Sequence, residues 1–218
     1  VLLMREKQVG HVVVRDEAGR IQGVVRDREL LAIERYPLAL LARAVGGAGR
    51  LDEVLEERAR LPVLVGALVE AGAKPRAVTG AIAAVTDAVT QKLVALACAE
   101  LGPAPAAFAF VALGSQGRGE QTLASDQDNA LVFDVPAGAD SQAARAYFLA
   151  LGERVCGWLA RAGYSLCKGG AMASNPRFCL PLPEWQDLFS SWIATAEPKD
   201  LLEFNIFFDL RCVHGEAE

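Results

Sequence analysis

An α+β fold, a mixed sheet flanked by helices, follows from three features of the chain. Short segments rich in β-branched and aromatic residues, 108–113 (FAFVAL), 129–133 (NALVF) and 205–213 (NIFFDLRCV), read as strands. Between them lie stretches of helical character, 141–162 and 185–194, rather than hairpin turns. Ahead of them, residues 38–100 read as helical throughout.

The elements follow in order. Residues 9–15 (VGHVVVR) and 21–25 (IQGVV) form two strands around a turn at 16–19, and a helix follows at 27–34. That unit is too small to hold a core alone. The stretch 51–71 is apolar at Leu51, Val54, Leu55, Leu61, Val65, Leu68 and Val69, and Pro62 restarts or kinks the helix. Gly72 and Pro75 mark the next boundary. From 76 to 100, Val78, Ile82, Val85, Val89, Leu93 and Leu96 recur at three- and four-residue steps, one face of an amphipathic helix. Gly102, Pro103 and Pro105 stop it. Ser141 is the expected cap of the 141–162 helix. Residues 168–183, rich in Gly, Pro, Ser and Asn, read as a long functional loop.

Composition narrows the function classes. A 52% apolar content in 218 residues supports a sizeable core. The net charge of −5, with no dense basic run, argues against nucleic acid as the main partner. Five Cys form no C-x-x-C pair, which argues against a disulfide framework or a structural zinc site and for a reducing cytoplasm. No apolar stretch reaches the roughly 18 residues of a membrane helix, and no signal peptide is visible. The chain opens at Val1 inside a helical pattern, as expected of a fragment of a longer protein. Its apolar helices and its half-module predict contact with a second copy, as a homodimer, or with missing segments.

The chemistry concentrates in 114–133, GSQGRGEQTLASDQDNALVF. A strand ends at Gly114-Ser115, and Asp126-Gln127-Asp128 enters the next one. Residues two apart on a strand share a face, so Asp126 and Asp128 project together. Two adjacent carboxylates repel, and a divalent cation removes that penalty; magnesium favours one or two carboxylates plus phosphate oxygens. The Gly-Ser turn offers backbone N–H groups and a hydroxyl to terminal phosphates. Rival motifs fail on the same letters. Glu120 stands where a Walker A loop needs Lys, Ala130 and Leu131 stand where a calcium loop needs a ligand and Gly, and Ser115 lacks the G-x-S-x-G elbow.

Gly114, Ser115, Asp126 and Asp128, with the segments GSQGRGEQTLASDQDNA and GGAMASNP, resemble nucleotidyltransferases fused to CBS domains in bacterial signal-transduction proteins. These are similar to protein-PII uridylyltransferase and glutamine-synthetase adenylyltransferase, within the DNA polymerase beta-like superfamily. The likeness runs from about residue 50 to the end. The piece 1–34 resembles the last half of a CBS motif. Arg26 and Glu29 replace its usual Thr or Ser and its Asp, which weighs against adenine-nucleotide binding there.

The resemblance implies a nucleotidyltransferase-type mixed sheet at 104–218, a helical linker at 38–100 and the CBS half-module at 1–34. It implies Asp126, Asp128 and Asp209 as catalytic and metal-binding residues around Mg2+, with Mn2+ as an alternative. Asp209 is expected in the middle of the 205–213 strand, paired beside 129–133, with Phe208 and Leu210 pointing into the core. The alternative for Asp209 is a pair with Arg211. Gly114, Ser115 and Arg118 would hold a nucleoside triphosphate, with Arg118 paired to Glu120 as the other reading. Lys168, Ser174 and Asn175 either line the acceptor pocket or shape a structural loop. The acceptor is a hydroxyl on a protein, such as Tyr, or on a small molecule. The rival function is a non-catalytic nucleotide sensor signalling through the 38–100 helices.

Overall fold

The computed structural model describes residues 9–16, 18–195 and 208–215. The first two strands, β1 (His11–Arg15) and β2 (Ile21–Arg26), form an antiparallel hairpin. Four helices follow: α1 (Asp27–Gly47), α2 (Leu51–Ala59), α3 (Leu61–Glu70) and α4 (Pro75–Leu101). The break expected before residue 38 is absent, because α1 runs on past Pro37. Pro62 instead sits in the first turn of α3, where proline's missing N–H and fixed φ suit a helix start.

Beyond α4 come β3 (Ala107–Ala112), the one-turn α5 (Gly114–Gly117), β4 (Asp126–Gln127), β5 (Asn129–Asp134), α6 (Ser141–Arg161) and β6 (Ser165–Leu166). A 3-10 turn at Pro176–Phe178, β7 (Cys179–Pro181), α7 (Leu182–Thr195) and β8 (Arg211–Gly215) complete the chain. The main sheet has the order β7-β5-β3-β8, with β7 parallel to β5 and both other pairs antiparallel. It is the mixed sheet flanked by helices that the sequence predicts.

Alternation on β3 divides the core. Phe110 joins Leu131, Phe133 and Phe148 against α4 and α6. Val111 and Leu113 face Ala130, Phe178 and the α7 residues Trp185 and Trp192. Phe133 and Phe148 stack at 4.4 Å, and burying each such ring contributes about 1.5–3 kcal/mol. Helix α4 does have the length and composition to cross a membrane, contrary to the sequence reading. Its apolarity has another cause: Val78, Ile82, Val85, Val89, Leu93 and Ala97 all lie in the core.

Three local expectations are corrected. Asp140, not Ser141, caps α6, accepting from the N–H groups of Gln142 and Ala143 at 2.9 and 3.0 Å. The 168–183 loop contains β7, whose Pro181 and three-residue length conceal it in the sequence. The last strand begins at Arg211, and residues 205–207 of the expected strand lie outside the described residues. It pairs with β3, not with 129–133, because β7 already occupies the far edge of β5. Phe208 and Leu210 are 68% and 50% exposed rather than core-facing.

Helix α6 approaches the 170–175 segment so closely that a Cβ on Gly152 would lie 2.1 Å from the Ala173 carbonyl oxygen. Gly→Ala in a helix normally stabilises by roughly 0.5–1 kcal/mol. Gly157, exposed on the same helix with nothing near its Cβ position, is expected to follow that rule. Gly152→Ala is expected to destabilise by about 1–3 kcal/mol, as overpacking does. Urea unfolding of the two variants checks the opposite signs.

Candidate active site

The turn after β3 is shaped by a carboxylate. Gly114 has φ +52°, and a Cβ there would stand 3.0 Å from Asp128 Oδ2. The Leu113 N–H donates to the Asp128 carbonyl at 3.0 Å, fixing the turn against the carboxylate-bearing chain. Ser115 follows, half-buried in the first turn of α5. Behind the turn, Arg211 donates to both Asp87 oxygens, at 2.9 and 3.0 Å, and to the carbonyls of Gln116 and Gly117 at 3.0 and 3.2 Å. Gln116 Nε2 donates to the same Asp87 at 3.1 Å. Asp87 on α4 and Arg211 on β8 thus clamp the turn from below. Gly117 is required because a Cβ would fall 1.8 Å from the Asp209 carbonyl oxygen.

The Asp-x-Asp segment obeys strand alternation. Gln127 and Asn129 point inward, each 2% exposed, while Asp126 and Asp128 are half-buried on the other side. Gln127 Nε2 donates to the carbonyls of Cys156 and Tyr164 at 3.3 and 3.4 Å. Asn129 Oδ1 accepts from the Ala173 N–H at 2.8 Å, and its own N–H donates to the Ala171 carbonyl at 3.0 Å. The parallel pairing of β4 with β6, Asp126 opposite Ser165 and Gln127 opposite Leu166, carries Cys167 alongside Asp128. Ligand atoms of Asp126, Asp128 and Cys167 all lie within 4.8 Å of one another.

Burial pushes the Asp128 carboxyl above its ordinary range; a hydrogen bond from Cys167 opposes this and the Asp126 charge adds to it. Burial likewise raises the Cys167 thiol, helped by its hydrogen bond to Asp128. Two carboxylates on one side of the chain, half-buried and mutually repelling, suit a divalent cation, and their oxygens are donors that Mg2+ accepts.

The other expected residues are placed differently. Arg118 is exposed and pairs with Glu120 at 3.0 Å and with Asp209 at 2.6 Å. Asp209 lies in the turn before β8 and is not a member of the three-residue group. Arg211, the alternative partner for Asp209, is engaged by Asp87 instead. Asn175 caps the 3-10 turn through the Arg177 N–H and donates to the Gly170 carbonyl, a structural role. Lys168 is exposed. Sequence reasoning missed Cys167 and Asp87, and it considered Arg211 as a partner of Asp209 rather than of Asp87. Only recognition of β6 could have found Cys167, and a two-residue strand leaves no periodic signal.

Residues 59–199 match the model of a family described as "Putative nucleotidyltransferase DUF294". The chain belongs to this family. No curated protein matches the chain. The DUF294 region contains the Gly114 turn, Asp126, Asp128 and Cys167, while Arg211 and Asp209 lie beyond it. Nucleotidyl transfer is the general activity that membership supports, and a divalent metal with a nucleoside triphosphate goes with that activity.

The raised Asp128 carboxyl has a consequence for stability. The folded protein holds this proton more tightly than the unfolded chain, so the ionised group is destabilising once pH exceeds its folded value. That destabilisation is absent below the ordinary carboxylate value. Asp128→Asn is therefore expected to raise the melting temperature of the metal-free DUF294 chain at neutral pH. The gain should vanish in acid, where both forms are uncharged. Calorimetry across that range checks the sign.

Proposed function

We propose that the Asp126–Asp128 cleft moves a nucleoside monophosphate from a nucleoside triphosphate to a hydroxyl on a protein or small molecule. The observation that carries this reading is the close approach of the side chains, with Asp128 set against the Gly114 turn and within reach of Asp126. The N–H groups and hydroxyl of Gly114-Ser115 hold the terminal phosphates. Asp126 and Asp128 hold Mg2+, with Mn2+ as an alternative. Bound there, the cation would neutralise phosphate charge and polarise the phosphoryl group that is transferred. The acceptor oxygen bonds to the α-phosphorus, the bond to the bridging oxygen breaks, and pyrophosphate leaves. Arg118 is assigned to the phosphates. Once it turns to them, Asp209 is released from its ion pair and takes the acceptor proton.

In the same reading, residues 1–34 belong to a CBS-type regulatory module of a bacterial signalling protein working in the cytoplasm. The helices between residues 38 and 100 join that module to the transferase unit. The exposed Val63 and Val69 of α3 and Leu40 of α1 support packing against a second copy or another segment. One observation favours the sensor alternative. Asp209 is tied to Arg118, and among the described residues Asp126 and Asp128 are the carboxylates brought together.

Incubation with labelled nucleoside triphosphates, Mg2+ and cell lysate separates the two. A transferase labels an acceptor and releases pyrophosphate, whereas a sensor binds nucleotide and does neither. Asp126→Asn combined with Asp128→Asn is expected to lower labelling at least about a hundredfold, because both metal-holding charges are gone. Labelling at the wild-type rate in the double variant would exclude the Asp126–Asp128 mechanism.

A further inference from the structure

We propose that Cys167 is a sulfur ligand at the Asp126–Asp128 position, making it a site for a thiophilic divalent cation of the zinc class. The inference rests on the reading of the two carboxylates as metal ligands, and it adds a third donor of different chemistry.

The geometry supplies the first argument. One ligand atom from each of the three side chains lies within 4.8 Å of the other two. Two donors on one tetrahedral zinc-class ion stand about 3.5 Å apart, given bonds near 2.0–2.3 Å. Small rotations of half-buried side chains close that gap. The Cys167 sulfur also has a cradle. The backbone of Gly169 lies close to it: a Cβ there would stand 3.7 Å from the sulfur. The Gly170 N–H closes the turn onto the Cys167 carbonyl at 3.1 Å. A tight turn of this kind orients the sulfur, as outer contacts do around metal ligands.

The donor set supplies the second argument. Mg2+ takes oxygen and leaves a thiol alone, so it would use the two carboxylates only. Zinc-class ions bind mixed oxygen and sulfur sets and gain a bond that Mg2+ does not make. As that bond forms, the thiol proton leaves to solvent. Three protein donors leave a fourth position open, the arrangement of catalytic rather than closed structural zinc centres. A zinc-class ion therefore competes with Mg2+ for this cleft. The absence of any C-x-x-C pair is no obstacle, because the three ligands are assembled by the β4–β6 pairing rather than by local spacing.

The test uses the full chain, stripped of metal and without nucleotide, titrated with Cd2+ as a spectroscopic stand-in for zinc. An ultraviolet sulfur-to-metal charge-transfer band should rise to one equivalent and be removed by excess Zn2+. Cys167→Ala should lose the band, and Cys167→Ser, nearly isosteric, should weaken Cd2+ binding at least about tenfold. Cys98→Ala and Cys212→Ala, which remove the other half-buried thiols, should keep the band. No band in the wild type, or an undiminished band in Cys167→Ala, overturns the inference. If Cys167→Ala does not fold, as judged by circular dichroism, the Cys167→Ser titration decides, and unchanged Cd2+ affinity there overturns it equally. Nucleotide labelling with Mg2+ alone is read separately. A wild type that labels an acceptor but shows no band refutes the sulfur ligand and leaves nucleotidyl transfer standing. A band without labelling does the reverse.

Discussion

The half-buried carboxylate of Asp128, held beside that of Asp126, is the constraint around which this end of the molecule is built. Burial and like charge both oppose it, so it persists only because its surroundings are fixed by other interactions. Its backbone carbonyl is tied to Leu113, and its side chain is accommodated because Gly114 has no Cβ. Its neighbours are anchored on the opposite side: Gln127 to α6 and the chain after it, Asn129 to the 171–173 segment. Each such hydrogen bond nets about 0.5–1.5 kcal/mol, and losing one would leave a buried polar group unpaired at greater expense. Among the described residues, Gln127 Oε1 has no hydrogen-bond partner.

A second layer fixes the Gly-Ser turn itself. Asp87 lies in the middle of α4, Arg211 opens β8, and both converge on Gln116 and Gly117. The pair is doubly bonded and partly screened from water, which makes it stronger than an exposed ion pair. Gln91, one turn further along α4, donates to the Val213 carbonyl at 2.8 Å. Helix α4 is therefore bonded to the last strand at two points and to the Gly-Ser turn at one. A displacement of α4 relative to the sheet would have to break the Asp87 contacts or carry the turn with it. The same helix packs against α1, α2 and α3, so the helical segment and the turn are mechanically continuous.

Much of this was legible in the sequence where a pattern repeats. The period-3.6 stripe from Val78 to Leu93 identifies α4, and the spacing of Asp126 and Asp128 places both carboxylates on one side. The Gly-Ser turn before an Asp-x-Asp segment points to the fold that the family match supports. What was not legible lacks a local signature. Strands β4 and β6 have two residues each, too few for alternation to register. The position of β8 depends on which edge of the sheet remains open, a fact about the whole sheet. The apolar run through Phe208 looked like a strand because hydrophobicity was read as burial. In the fold, Phe208 and Asp209 form a turn that crosses α5 closely at Gly117. Asp87 is one of several polar residues on α4, and its distant partner, Arg211, sets it apart from the others.

Arg118 draws these strands of argument together. Its guanidinium lies between Glu120 and Asp209, two carboxylates that compete for it in an exposed setting. Exposed pairs of this kind contribute little to stability, typically about 0.2–1 kcal/mol each, so neither is a strong hold. A nucleoside triphosphate carries several negative charges in a compact group, and guanidinium binds phosphate through paired hydrogen bonds. In the proposed mechanism, phosphate would take the place of Asp209 on this guanidinium. Asp209 itself is fixed by the close approach of its carbonyl to Gly117, so releasing its side chain would leave a free carboxylate held beside the turn. In that mechanism, the ion pair that occupies Asp209 and a role as acceptor base would be two states of one exchange, with the nucleotide as the competing ligand.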